Sequence, residues 1–239
     1  MCNLSMRFYW LRADRGETMK STQAAAAEMK LVGGRLCLDF INTVDGRKSD
    51  STRKESQSVN SQLLGDKLGE YSDLVEWSRH SDIVTATEAE RLIHASKRNT
   101  REAKNVLDRA IALREALYRI CKAMMTGRGP QRADLVTVND ELLKARAHER
   151  LTHGPHGFSW ELVGGEAALD RMLWSIAQSG AELFTSGDLS RLRECSGEDC
   201  GWLFEDTSKN RSRQWCDMQD CGNLAKVRRY RTRLRRSNK

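Results

Sequence analysis

The sequence predicts an α+β protein: a mostly helical N-terminal domain with a small β-sheet, followed by a small unit pinned by cysteines. Three observations carry this expectation. Apolar residues recur with helical period through much of the chain before residue 190, and only two prolines occur in 239 residues. Four of the seven cysteines, Cys195, Cys200, Cys216 and Cys221, cluster near the C-terminus, while Cys2, Cys37 and Cys121 are scattered. Charge is segregated as well. Residues 207–239 hold 11 Lys/Arg against Asp217 and Asp220, a net of +9 in a chain of +7, so the first 206 residues carry −2. A polyanionic partner is therefore expected for the C-terminal end alone.

Residues 1–29 lack a consistent pattern and are expected to form an extension outside the fold. "MCNLSMRFYWLRADRGETMK" has no uninterrupted apolar core of signal-peptide type, and no run is long enough to span a membrane. A cytoplasmic protein without membrane contact is the expectation. An odd number of cysteines in a reducing compartment also argues against a disulfide framework.

The main domain is assigned to residues 30–188. "KLVGGRLCLDFINTV" reads as a glycine turn and then a strand, with Leu36, Leu38 and Phe40 alternating on one face. "DGRKSDSTRKESQSVNSQ" loses all periodicity and reads as a polar loop. "LGEYSDLVEWSRHSD" is helical, with Tyr71, Leu74, Val75 and Ser78 on one stripe. Thr85 and Glu88 have capping-box spacing at the head of "TATEAERLIHASKR". The longest helix is expected in "TREAKNVLDRAIALREALYRICKAMMTG", where Ala103 to Met124 make an apolar stripe and Gly127 a stop. "ADLVTVNDELLKARAHER" is read as a further amphipathic helix. "LTHGPHGFSWEL" is read as a turn with a short strand able to pair with the N-terminal one, and "GEAALDRMLWSIAQSGAELFTS" as a buried helix.

Residues 189–239 are too few and too polar to build a core of their own, so a metal or disulfides are needed. Cys195-SGED-Cys200 and Cys216-DMQD-Cys221 are matched pairs with identical gaps, the spacing that aims two thiolates at one tetrahedral metal. Four thiolates would close the coordination sphere, which makes one structural zinc the expected cofactor and leaves no open position for hydrolysis. An iron–sulfur cluster satisfies the same ligands, whereas a redox pair normally uses a two-residue gap. "GWLFED" reads as the second strand of a hairpin, and the second pair leads through Gly222 and Asn223 into a basic helix, a treble-clef-like order. On that helix Lys226, Arg229, Arg233 and Arg236 share a stripe flanked by Arg228 and Arg231, while Leu224, Val227, Tyr230 and Leu234 form an apolar edge for docking. One-sided basic residues are the footprint of nucleic-acid binding; a solvated tail is the bland alternative.

These residues carry a resemblance. "C-x4-C-x-W-x-F-x-D-x-S" followed by "R-x-W-C-x-M-x2-C-G-N" resembles the CGNR zinc finger. "LVGGRLCLDFINTV", "YSDLVEW", "LREAL" and "SGAELFTSGDLSRLREC" are similar to the ABATE domain that precedes this finger in bacterial transcription regulators. The resemblance implies a DNA-binding finger with Cys195, Cys200, Cys216 and Cys221 as zinc ligands, behind a helical sensor or auxiliary domain. Arg211, Arg213 and Lys226 match the family's basic positions, and Leu224 stands where the family has Arg.

The expected function is that of a nucleoid-associated transcription regulator with a small-molecule effector or a homodimer contact in its front domain. The alternatives are an RNA-binding or ribosome-associated protein, and an enzyme whose finger is only a scaffold. Asp39 and Asn42, polar positions within an apolar run, are the candidate pocket residues. No nucleophile–base set and no phosphate-cradling glycine loop is visible.

Overall fold

The computed structural model describes residues 26–47, 65–165 and 168–237. Most of the expected N-terminal extension and most of the polar loop (residues 48–64) lie outside the described residues. Ala26 and Met29 are nevertheless buried in the core, so the packed fold begins before residue 30.

The first element corrects the sequence reading. Leu36–Ile41 is a short helix, α1, not a strand. Its six residues are apolar except for Asp39, and Cys37, Leu38, Phe40 and Ile41 are all buried. A run this short with no polar alternation does not distinguish a buried helix from a strand. The turn before it requires glycine. Gly34 has φ 83°, and a Cβ at Gly33 would lie 2.8 Å from Leu38 Cβ.

Helix α2 (Tyr71–His80) buries the expected stripe and also Trp77, whose ring packs 5.0 Å from that of Phe40. Helix α3 (Ala86–Arg98) opens on the expected capping box: Thr85 N–H donates to the Glu88 carboxylate (2.7 Å), and Glu88 N–H donates to Thr85 Oγ1 (3.3 Å). Helix α4 (Thr100–Met125) is the axis of the core. Its buried face runs through Val106, Ala110, Leu113 and Leu117, with Met124 exposed at its end.

Helix α5 (Arg132–Ala147) is held differently from the expected amphipathic packing. Leu135, Val136 and Leu143 are exposed, while Asp134 and Glu141 are buried against Arg119 and Arg109 of α4. Arg109 also reaches Asp170 at 2.8 Å, joining α4, α5 and the start of helix α6 (Arg171–Ser186). Gly180 lets α6 approach α4, since a Cβ there would meet Leu117 Cδ2 at 2.6 Å.

Strands β1 (Glu149–Gly154) and β2 (Gly157–Leu162) pair with each other in an antiparallel hairpin. The pairing expected between this segment and an N-terminal strand does not form, because that strand is α1. The second sheet is the antiparallel pair β3 (Leu192–Glu194) and β4 (Leu203–Glu205), and the chain ends in helix α7 (Asn223–Ser237).

Leu192 and Leu203 belong to the same apolar cluster as α1, α4 and α6. The C-terminal unit is therefore partly built on the main core. None of the helices among the described residues is long and apolar enough to cross a membrane.

Candidate metal centre and nucleic-acid interface

The first cysteine pair lies in the connection between β3 and β4, and the second at the entry to α7. Cys195 N–H donates to Trp202 O (2.8 Å) and Ser196 N–H to Gln214 O (2.8 Å), which folds both knuckles over one point. The four sulfurs lie within 4.8 Å of one another, with Cys200 to Cys216 at 3.7 Å and Cys216 to Cys221 at 3.6 Å. Tetrahedral zinc–thiolate coordination sets sulfurs about 3.8 Å apart, so the donor set fits one structural zinc ion.

Hydrogen bonds from Cys200 and Cys216 pull the Cys195 thiol down, while its neighbour Cys195 pushes Cys200 up. Cys216 is pushed up as well, first by Cys195. Four sulfurs this close hold negative charge only if a cation shares it, which is the role of the metal.

A short loop braces the knuckles. Asp206, fully buried, accepts from Ser208 N–H (2.9 Å), Ser208 Oγ (2.6 Å) and Arg213 N–H (3.0 Å), and these bonds hold its carboxyl below the usual range. Acids also lie between the cysteines of each pair, and each has a cation. Lys30 donates to Asp217 and Asp220 (2.7 Å each), and Arg228 reaches Glu198 (2.8 Å) and Asp199 (3.3 Å).

The finger is bonded directly to the helical domain. Asn42 donates to Leu203 O (2.9 Å) and accepts from Leu203 N–H (2.8 Å), acting as an extra strand partner for β4. Trp202 Nε1 donates to Val44 O (3.1 Å), and Arg35 pairs with Glu205 (2.7 Å). Asp39 accepts from Gly33 N–H (2.8 Å), and burial pushes its carboxyl up to about 6.

Asn42 is thus engaged in the joint to β4 and Asp39 in the turn at Gly33, and neither lines either of two hollows found among the described residues. One hollow, about 420 Å³, lies between α2 and α3 against Val75, Ala89, Ile93 and His94. The other, about 530 Å³, lies between Asp45–Gly46 of the helical domain and Cys200, Leu224, Arg228 and Thr232 of the finger.

The basic residues separate into two groups. Arg213 donates to Val32 O (3.0 Å), Trp215 O (3.1 Å) and Cys216 O, with its guanidinium 4.2 Å from the centre of the Phe204 ring. Arg211, at φ 51°, reaches Ser190 Oγ (2.8 Å) and Asp188 (3.2 Å). Arg213 is half-buried and fully engaged, while Arg211 and Arg228 are engaged at the surface in exposed ion pairs. Lys226, Arg229, Arg231, Arg233 and also Arg235 are exposed on α7 with no acidic partner among the described residues. The Arg236 side chain lies outside the described residues.

Leu224, Val227, Tyr230 and Leu234, expected to dock the helix, are exposed instead. Leu224 lines the hollow against Asp45–Gly46, and α7 runs on from its metal-side end with Val227 and Tyr230 exposed.

Sequence reasoning missed Lys30, Arg35 and Asp206 as supports of the centre. Only Asp206 left a local trace, the Asp-x-Ser spacing of a turn closed by its own side chain.

Residues 34–187 match the ABATE family, described as "Putative stress-induced transcription regulator", and residues 191–234 match the CGNR zinc finger. No curated protein matches the chain.

Proposed function

Because the chain belongs to the ABATE family and ends in a CGNR zinc finger, we propose that it is a DNA-binding transcription regulator in which one structural zinc aims α7 at the duplex. The observation that carries this reading is the set of five cations, Lys226, Arg229, Arg231, Arg233 and Arg235, exposed on a projecting helix with no acidic partner among the described residues, while the first 206 residues are net acidic. Phosphate neutralisation by such a set supplies affinity and makes it depend on salt.

The metal's contribution is orientation. Cys216 and Cys221 lie at the entry to α7, so the direction of the helix follows from the direction of the knuckle. An effector bound in the hollow at Asp45–Gly46 would touch the helical domain and α7 together, and this is the route by which the front domain would report on a ligand. Neither matched family is described as an enzyme, and no catalytic role is assigned. On this reading the protein works at the nucleoid, in the cytoplasm.

Titrating full-length protein onto random-sequence duplex DNA at increasing salt tests the proposal. Five phosphate contacts predict a slope of log affinity against log salt of about −4.5. A slope near zero, or equal affinity of a zinc-loaded protein lacking residues 224–239, would sink it. Stronger binding to structured RNA than to duplex would replace DNA with RNA as the partner.

A further inference from the structure

The β1–β2 hairpin leaves the end of α5 as an arm, and its two faces differ chemically. Residues opposite each other in an antiparallel pair share a face, so Leu151, Trp160, His153 and Phe158 lie together on one side. Thr152, Ser159, Arg150 and Glu161 occupy the other. Leu151, Phe158 and Trp160 are 57%, 74% and 68% exposed. Aromatic side chains normally sit where they are covered, and a lone two-stranded hairpin is marginal in water without a covered apolar face. Among the described residues nothing covers this one.

We propose that the apolar face of this hairpin is the contact between two copies of the chain, packed face to face across a twofold axis. Three properties of the face favour a second copy. The exposed parts of Leu151, Phe158 and Trp160 come to roughly 400 Å², close to the apolar share of a standard interface of about 800 Å² per partner. The face carries one carboxylate, Glu149 at its base, already engaged by Gln178 and Arg146, so a twofold contact opposes no free like charges. The segment from Glu149 to Leu162 has a net charge of −1, and its one Lys/Arg, Arg150, lies on the opposite face beside Glu161, so the apolar face offers a polyanion or an anionic lipid surface no lysine or arginine. This inference stands on the hairpin alone and does not need the finger to bind DNA.

Sedimentation equilibrium of the full-length, zinc-loaded chain from low to high micromolar concentration tests it. The wild-type chain should sediment as a dimer. The Phe158→Ser/Trp160→Ser variant should weaken the dimer by about thirtyfold or more, as loss of buried aromatic anchors does, with zinc content and far-ultraviolet circular dichroism unchanged. Thr152→Lys, on the opposite face, should remain dimeric. A monomeric wild-type chain overturns the proposal, and so does a dimer that Thr152→Lys breaks as readily as the double variant. A monomer that instead co-sediments with neutral phosphatidylcholine vesicles reassigns the face to lipid.

Discussion

Arg213 and Arg229 belong to the same basic segment, and composition treats them alike. Arg213 has its guanidinium against Phe204 and donates to carbonyls of Val32, Trp215 and Cys216. Arg229 stands in solvent with no acidic partner among the described residues. The base of the finger uses its charges to hold two knuckles and a domain together, whereas on α7 only Arg228 has an acidic partner among the described residues. A net charge of +9 in the final segment therefore overstates what a nucleic acid can meet, and the usable cations are those past the metal.

The largest effect that separates these regions should come from the metal. Cys216→Ser is expected to lose the zinc, whose binding is worth on the order of 10–16 kcal/mol in such modules. DNA binding should disappear with it. Because Leu192 and Leu203 lie in the main core, hydrogen exchange should show β3 and β4 still protected while residues 206–222 exchange freely. Uniform exchange across the finger would mean that the base has no stability apart from zinc.

Asn42→Leu comes next. It strands the N–H and C=O of Leu203 in a buried site, at about 1–3 kcal/mol for each unsatisfied group. Thermal unfolding should report a loss of about 2–6 kcal/mol for the two groups together, with zinc content retained.

Arg213→Ala should lower the melting temperature by the equivalent of about 2 kcal/mol, since hydrogen bonds from a charged donor are each worth about 1.5–3. It should leave the salt slope unchanged. Arg229→Ala/Arg233→Ala should do the reverse, reducing the slope by about 1.8 with no change in melting. If Arg213→Ala instead flattened the slope at constant stability, the division between structural and free arginines would be wrong.

The smallest effect is expected from Arg228→Ala. Its pairs with Glu198 and Asp199 are exposed and contribute at most about 1 kcal/mol.

How much was legible follows the range of the interactions. The four cysteines, the Thr85–Glu88 capping box and the order from hairpin to helix depend on partners a few residues away, and spacing displays them. Asn42 and Leu203 are separated by 161 positions, and Arg213 and Val32 by 181, so no local pattern records either bond. The run at Leu36–Ile41 was misread as a strand because both of its sides are buried, which erases the alternation that distinguishes the two periods. The charged anchoring of α5 was hidden for a related reason. Buried Asp134 and Glu141 are paired with arginines of α4, and the sequence shows only an acid on a helix.

By itself the sequence determined the ligands of the metal, the placement of a basic helix directly after them and the family to which the chain is similar, because thiolate chemistry and helical period are written locally. The tertiary structure alone decided that the finger rests on the main core, that Arg213 is bonded to backbone carbonyls while Arg211 and Arg228 are tied to acids at the surface, and that Val227 and Tyr230 of α7 stay exposed. Whether a charge or an apolar side chain is available depends on what lies across the fold, and only packing brings those partners within reach.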